Sequence, residues 1–306
     1  MAIIYRRPQI YKEQTKIDSY TLINWKMNDA SSPMLNYGTA GALSLITSGT
    51  PLYAQPGLFD KAISFTNNIN QTFSTGNTSI GEPNGNTITV SCWVKLRNYT
   101  FYGIIFCKNY YASRNWAQPY SSLYLALSSS NDGAWQPGIA YSGSIHQPLI
   151  NATESKIPLN KWTLLSLTYD GNYIKFHKNG VVVYTANLPG TISFNDHGSW
   201  DIGGTLCAGV GQPIDGLIED IRVENTVRTD SYLLNMYNQS ILNDKYKLGI
   251  YAPIIEYEPS AAGVEVYSSD NTKIDRLWNR TTDTSATKNS KSRYFFKNAN
   301  LDKNRF

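Results

Sequence analysis

A chain of 306 residues can form one large domain with extensions or two modest ones. Charged residues make up 16% and aromatics 13%, with 22 Tyr and 7 Trp, while Leu/Glu/Lys-rich stretches are nearly absent; this excludes a helical bundle and favours short strands and turns. The net charge of +4 is uneven: residues 271–306 hold nine Lys/Arg against three Asp, so the remaining body is slightly acidic, unlike that of a nucleic-acid enzyme.

Residues 1–20 read as an extended arm. Ile3, Ile4 and Tyr5 are too apolar for a solvated leader, no apolar core of secretory length follows, and no run in the chain approaches a membrane span. The arm is expected to lie on its own domain or on a neighbour. A strand is predicted over TLINWKM from Thr21, followed by turns at Pro33, Gly38, Gly41 and Gly49, and a further strand within Gly57–Asn68.

Asn86–Leu96 alternates best: Ile88, Val90, Cys92 and Val94 share one face, and Thr89, Ser91, Trp93 and Lys95 the other. Strands are also predicted at 103–107, 122–127, 139–142, 181–185, 200–202 and 217–224. Thr163–Tyr169 and Tyr173–Lys178 flank Asp170-Gly171-Asn172 as a hairpin. The only helix candidate is RTDSYLLNMYNQSIL, where Tyr232, Leu233, Met236 and Tyr237 share a face. Residues 251–306 are too polar for a core of their own and are expected to be ordered by a partner. Cys92, Cys107 and Cys207 show neither a disulfide framework nor metal spacing and are expected to be reduced and buried.

Five segments occur in a telling order: INWKMNDA, GLFDKAISF, ITVSCWVK, PLNKWTLLSLTYDGNYIKFHKNG and DGLIEDIRVENTVRTDSYLLNMY. Together they resemble the laminin G-like, concanavalin A-like lectin/glucanase jelly roll over about Leu22–Tyr237. Asp60 stands where the family has a second Gly, and Glu219 where Asp is usual. The resemblance implies an all-β fold, a two-sheet antiparallel jelly-roll sandwich with ligands or metals at its rim or concave face. The chain then divides into an N-terminal arm (1–20), a sandwich (21–250) and a basic C-terminal arm (251–306).

Candidate chemistry is sparse. Glucanases of this fold carry two carboxylates in phase on one strand, flanking one sugar bond. In IEDIRVE the first acid position is Ile218; regular alternation places Asp220 and Glu224 on one face with Arg222, and Glu219 on the other. No catalytic residue is therefore expected, and a glycoside hydrolase ranks last among the readings. His146, His177 and His197 are scattered, and no nucleophile motif occurs. No cofactor is assigned. Calcium stays open through Asp29, Asp60, Asp170 and Asp196 in predicted turns, although turn Asp commonly serves backbone geometry.

The window Tyr99–His146 is rich in aromatics. If a glycan binds, Tyr110, Tyr111, Trp116 and Trp135 are the expected stacking residues; the blander reading is that these rings belong to loops and core. Ile3, Ile4 and Tyr5 at one end, and Tyr294, Phe295 and Phe296 at the other, are expected to dock on neighbouring subunits, in preference to nucleic acid or a membrane. A sandwich with two such arms suggests an adhesion or structural component of a bacteriophage virion (fibre, tail or capsid decoration), made in the host cytoplasm. Its expected partners are other virion proteins, copies of itself and host-surface glycan. The alternative is a stand-alone carbohydrate-binding module.

Overall fold

The computed structural model describes residues 17–59, 61–67, 71–111, 119–205 and 212–247, with side chains as far as residue 241. All but residues 245–247 fall within the compact unit Lys12–Asp244. The arm residues Ile3, Ile4, Tyr5, Tyr294, Phe295 and Phe296, together with Asp60, Trp116 and Cys207, lie outside the described residues.

Fifteen strands and one α-helix follow in order among the described residues, with a 3-10 turn at Thr153–Ser155: β1 (Thr21–Trp25), β2 (Ile46–Ser48), β3 (Leu52–Pro56), β4 (Lys61–Phe65), β5 (Thr72–Asn77), β6 (Ile88–Asn98), β7 (Ile104–Asn109), β8 (Ser121–Ala126), β9 (Gly138–Tyr141), β10 (Ser144–His146), β11 (Thr163–Tyr169), β12 (Tyr173–Lys178), β13 (Val181–Asn187), β14 (Ser199–Ile202), β15 (Asp215–Glu224) and α1 (Asp230–Lys247). They form two antiparallel sheets. The larger runs β13-β12-β11-β6-β15-β4-β3, with β1 also pairing β15; the smaller runs β10-β9-β8-β7-β14-β5-β2. This is the all-β, two-sheet jelly-roll sandwich expected from the sequence.

The alternation of β6 does what its pattern requires. Ile88, Val90, Cys92, Val94 and Leu96 enter the core between the sheets, where they meet Leu165 and Leu167 of β11 and Ile218 and Val223 of β15. Aromatic rings bridge the sheets: Phe65 of β4 meets Phe73 of β5 edge-on at 5.9 Å, and Trp25 of β1 meets Trp200 of β14 at 6.4 Å. Cys92 and Cys107 are free and buried, and burial keeps the Cys92 thiol protonated by pushing its pKa up.

On the outer face of the larger sheet, Trp93 and Leu164 form a second cluster with Leu58, Phe59 and the α1 residues Leu233 and Met236. Tyr237 stacks on Trp93 at 5.9 Å. The hydroxyl of Thr229 accepts the Tyr232 N–H at 3.1 Å and so caps the start of α1. Gly180, in the β12–β13 turn, has φ +76, and a Cβ there would lie 2.3 Å from Leu234 Cα. Gly180→Ala is therefore expected to lift α1 and cost roughly 1–3 kcal/mol, measured as a lower urea midpoint.

His177 is fully buried beside the helix start, its Nε2 3.0 Å from Asp230 Oδ1. Burial pushes its pKa below the ordinary value, outweighing the upward pull of Asp230. The unfolded chain thus takes up this proton more readily, from about pH 6.5 downward. The stability contributed by neutral His177 is complete above that pH and is lost as the pH falls through the folded value. The urea midpoint is expected to drop between pH 7.5 and 5.5, less steeply in His177→Gln. The remaining slope would include His146, whose pKa burial also lowers.

β15 departs from the regular alternation expected of it. Glu219 pairs with Trp93, but Arg222 pairs with Ser91, so Asp220 and Ile221 together oppose one residue of β6. Asp220 supplies the bulge with φ +48. Contrary to the expectation that Glu219 points away from Asp220 and Glu224, the bulge puts Glu219, Arg222 and Glu224 on the outer face, and the Asp220 carboxylate joins them there. Ile218, Ile221 and Val223 all remain in the core.

Candidate functional site

The carboxylates of β15 are engaged in structure. Glu219 accepts the N–H groups of Leu58 at 2.5 Å and Phe59 at 3.0 Å, holding the turn before β4. Asp220 receives Arg222 at 3.0 Å and Asn24 Nδ2 at 2.7 Å; Glu224 receives Arg228 at 2.6 Å. Burial opposes the charge of Arg222, but Asp220 and Glu224 outweigh it and hold the guanidinium protonated. All of these acids are buried, so none of them reaches a sugar.

The outer face of the smaller sheet is different. β8 sends Leu123 and Leu125 into the core, which leaves Tyr124 and Ala126 on the outside with Ile104 and Cys107 of β7. Above them lies a groove of about 350 Å³ lined by Tyr102, Ile104, Tyr120, Tyr124, Gln136, Gln147, Thr205 and Gln212, among others. It contains aromatic rings and uncharged polar groups, and no Asp or Glu among the described residues lines it.

Two features shape its floor. Tyr124 sits directly opposite Gly138 in the β8–β9 register, and a Cβ on Gly138 would fall 2.3 Å from Tyr124 Cε1. The absence of that carbon lets the ring lie across the neighbouring strand. The phenol then donates to Gln147 Oε1 at 2.7 Å, and burial pushes its pKa well up, so it stays a donor. At one wall, Asn109 Nδ2 donates to Asp201 Oδ2 at 2.8 Å and to Ser199 at 3.0 Å; the Thr205 hydroxyl donates to the same carboxylate oxygen at 3.2 Å. This buried cluster fixes Thr205 where it meets the groove.

The stacking residues expected from the sequence fare unequally. Trp135 is fully buried, donates Nε1–H to Ser155 O at 3.2 Å and packs edge-on against Phe176 at 6.2 Å. It is a core residue, with no ring face open to a sugar. Tyr110 and Tyr111 follow β7 and stack edge-on at 4.9 Å; both are half-buried and neither lines the groove. The groove residues that sequence reasoning passed over are Tyr124, Gln136, Gln147, Thr205 and Gln212. For Gln136 a signal existed, because it follows an inward Trp and must face outward.

The turn aspartates serve backbone geometry. Asp170 accepts the N–H groups of Asn172 and Tyr173 at 2.8 and 2.6 Å, and Asp29 that of Leu35 at 3.3 Å. Asp196 occupies a left-handed turn position with φ +51. Among the described residues, no three His, Cys, Asp or Glu side chains form a group that could hold a metal ion. Likewise no helix there is long and apolar enough to cross a membrane, which says nothing of strands.

No curated protein sequence matches the chain. Solved structures do match its fold. Domain 4 of AbnA, a GH43 extracellular arabinanase from Geobacillus stearothermophilus, in complex with arabinotriose, aligns with TM-score 0.53 and 19% identity over 71% of this chain and 98% of its own. The botulinum neurotoxin serotype G binding domain aligns with TM-score 0.52 and 10% identity over 71% of this chain and 50% of its own. Botulinum neurotoxin type C, whose cell entry depends on interaction with two ganglioside molecules, aligns with TM-score 0.52 and 11% identity over 72% and 51%. The chain thus spans about half the length of these toxin chains. A family profile described as the concanavalin A-like lectin/glucanases superfamily matches residues 67–232, more than half of the sequence. With the two-sheet sandwich, its Trp-led hairpin and its closing strand and helix all in place, the chain belongs to the concanavalin A-like lectin/glucanases superfamily.

Proposed function

We propose that the sandwich is a non-enzymatic binding module that takes a glycan into the groove on the outer face of its smaller sheet. The observation that carries this reading is the groove's composition: tyrosine rings suited to the C–H faces of a sugar, interspersed with uncharged hydrogen-bonding groups. The carboxylates that a hydrolase of this superfamily would need on β15 are buried and already paired. Relatives of the same fold include one in complex with arabinotriose and one whose cell entry depends on gangliosides. The full-length chain on a glycan array is expected to retain a defined set of neutral glycans. Tyr120→Ala should weaken that binding at least tenfold, the equivalent of about 1.4 kcal/mol. A blank array with folded protein would reject the reading, and release of reducing ends from a β-glucan would reject its non-enzymatic part.

The chain's wider role is proposed to be adhesion within a bacteriophage virion, in a fibre, tail or capsid decoration, made in the host cytoplasm and displaying the sandwich outward. The support lies in the sequence: apolar Ile3, Ile4 and Tyr5 at one end, and Tyr294, Phe295 and Phe296 in a basic segment at the other, suited to locking onto neighbouring subunits. Mass spectrometry of purified phage particles is expected to find the chain, with both terminal segments protected from protease. A chain that binds glycan but is absent from particles is a stand-alone carbohydrate-binding module.

A further inference from the structure

Three glutamines line the groove, and the protein holds two of their amides, those of Gln136 and Gln147, by opposite ends. Gln136 Nε2 lies 3.4 Å from the backbone carbonyl of Gln147. A carbonyl can only accept, so that end of the Gln136 amide is the NH₂ and its Oε1 is the end left for a ligand. Gln147 is turned the other way. Its Oε1 accepts the Tyr124 phenol proton at 2.7 Å, leaving its NH₂ as the outward group. Neither free end makes another hydrogen bond among the described residues, and both side chains line the groove.

The orientation of Gln147 is built in from the strands upward. Gly138 lacks the carbon that would strike Tyr124, so the ring lies flat enough for its hydroxyl to reach the amide. The result is one acceptor and one donor presented to the same cavity, the acceptor end set by the carbonyl that holds Gln136 and the donor end by Tyr124 donating to Gln147. A hydroxyl can both give and take a hydrogen bond, so two neighbouring hydroxyls can satisfy this pair together. A carboxylate, which only accepts, can satisfy Gln147 alone and is repelled by Gln136 Oε1.

We propose that Gln136 and Gln147 are the specificity-determining residues of the groove and read a vicinal diol of an uncharged sugar, Gln136 Oε1 accepting from one hydroxyl and Gln147 Nε2 donating to the next. This rests on the groove being a glycan site. A site built to pair with hydroxyls discriminates sharply against ligands lacking them, because its own polar groups are then left unpaired.

The test is calorimetric titration of the full-length chain with arabinotriose, cellotriose and maltotriose, each in free and O-methylated form. At least one free trisaccharide is expected to bind, with its O-methylated form, which has no hydroxyl proton for Gln136 Oε1, at least tenfold weaker. Gln136→Leu and Gln147→Leu should each weaken the free trisaccharide at least tenfold with little change in melting temperature. Gln147→Glu keeps the shape and the acceptor for Tyr124 but loses the donor, and should do the same should Gln147→Leu fail to fold. Tyr124→Phe, which frees the Gln147 amide to turn, should weaken the free trisaccharide, but less than Gln147→Leu does. Binding of the free trisaccharide that survives the Gln substitutions but is lost in Tyr120→Ala would overturn the amide assignment and leave the groove intact. Binding to none of the three free trisaccharides, with a blank glycan array, would remove both.

Discussion

Trp135→Ala is expected to lower the unfolding free energy by about 3–5 kcal/mol, the usual cost of deleting a fully buried large aromatic ring. The ring is sealed within the core, edge-on to Phe176 of the opposite sheet, so its loss opens a cavity between the two layers. The backbone of Trp135 also bridges Leu127 to Ile150, and its indole N–H holds Ser155 O, so the local chain has few ways to collapse into the gap. Urea denaturation measures the effect; a loss under 1 kcal/mol would show that this ring does not join the sheets. Any fall in glycan binding by the variant should track its unfolded fraction, unlike that of Tyr120→Ala.

Arg222→Met is expected to cost a similar 3–5 kcal/mol, for a different reason. Arg222, Asp220 and Glu224 are all nearly inaccessible to water. Removing the cation strands the Asp220 carboxylate with Asn24 as its remaining partner, while Glu224 keeps Arg228. Much of the loss is therefore the penalty of an uncompensated buried charge. Converting Asp220 to Leu in the same chain should recover part of it, because the pair itself has a large desolvation cost. If the single variant proved neutral, water would have to reach Asp220.

The sandwich was legible where strands are long and alternate cleanly. β6, β11 and β12 could be placed because apolar residues recur at every second position and Asp170-Gly171 marks the turn between the latter two. β2, β3, β5 and β10 were not: TFSTGN of β5 is mostly polar, and β2 and β10 are three-residue sheet edges with little burial. The proposed groove was half legible. The aromatic window covers strands of the sheet that carries the groove, but which ring faces the groove depends on strand phase, and a single step separates inward Trp135 from outward Gln136. Gln147, Thr205 and Gln212 reach the groove from separate segments, and nothing local in the sequence marks them.

The bulge at Asp220 also governs how this chain may be compared and re-engineered. Straightening the strand with all its residues retained would send Arg222 toward the core and Ile221 and Val223 outward beneath α1, whereas deleting Asp220 would remove the bulge and leave each of them on its present face. Any ungapped alignment with a relative lacking the bulge would misassign every residue after position 220 to the wrong side of its sheet. A catalytic acid transplanted into this strand by sequence match alone would consequently land on the face opposite the one intended.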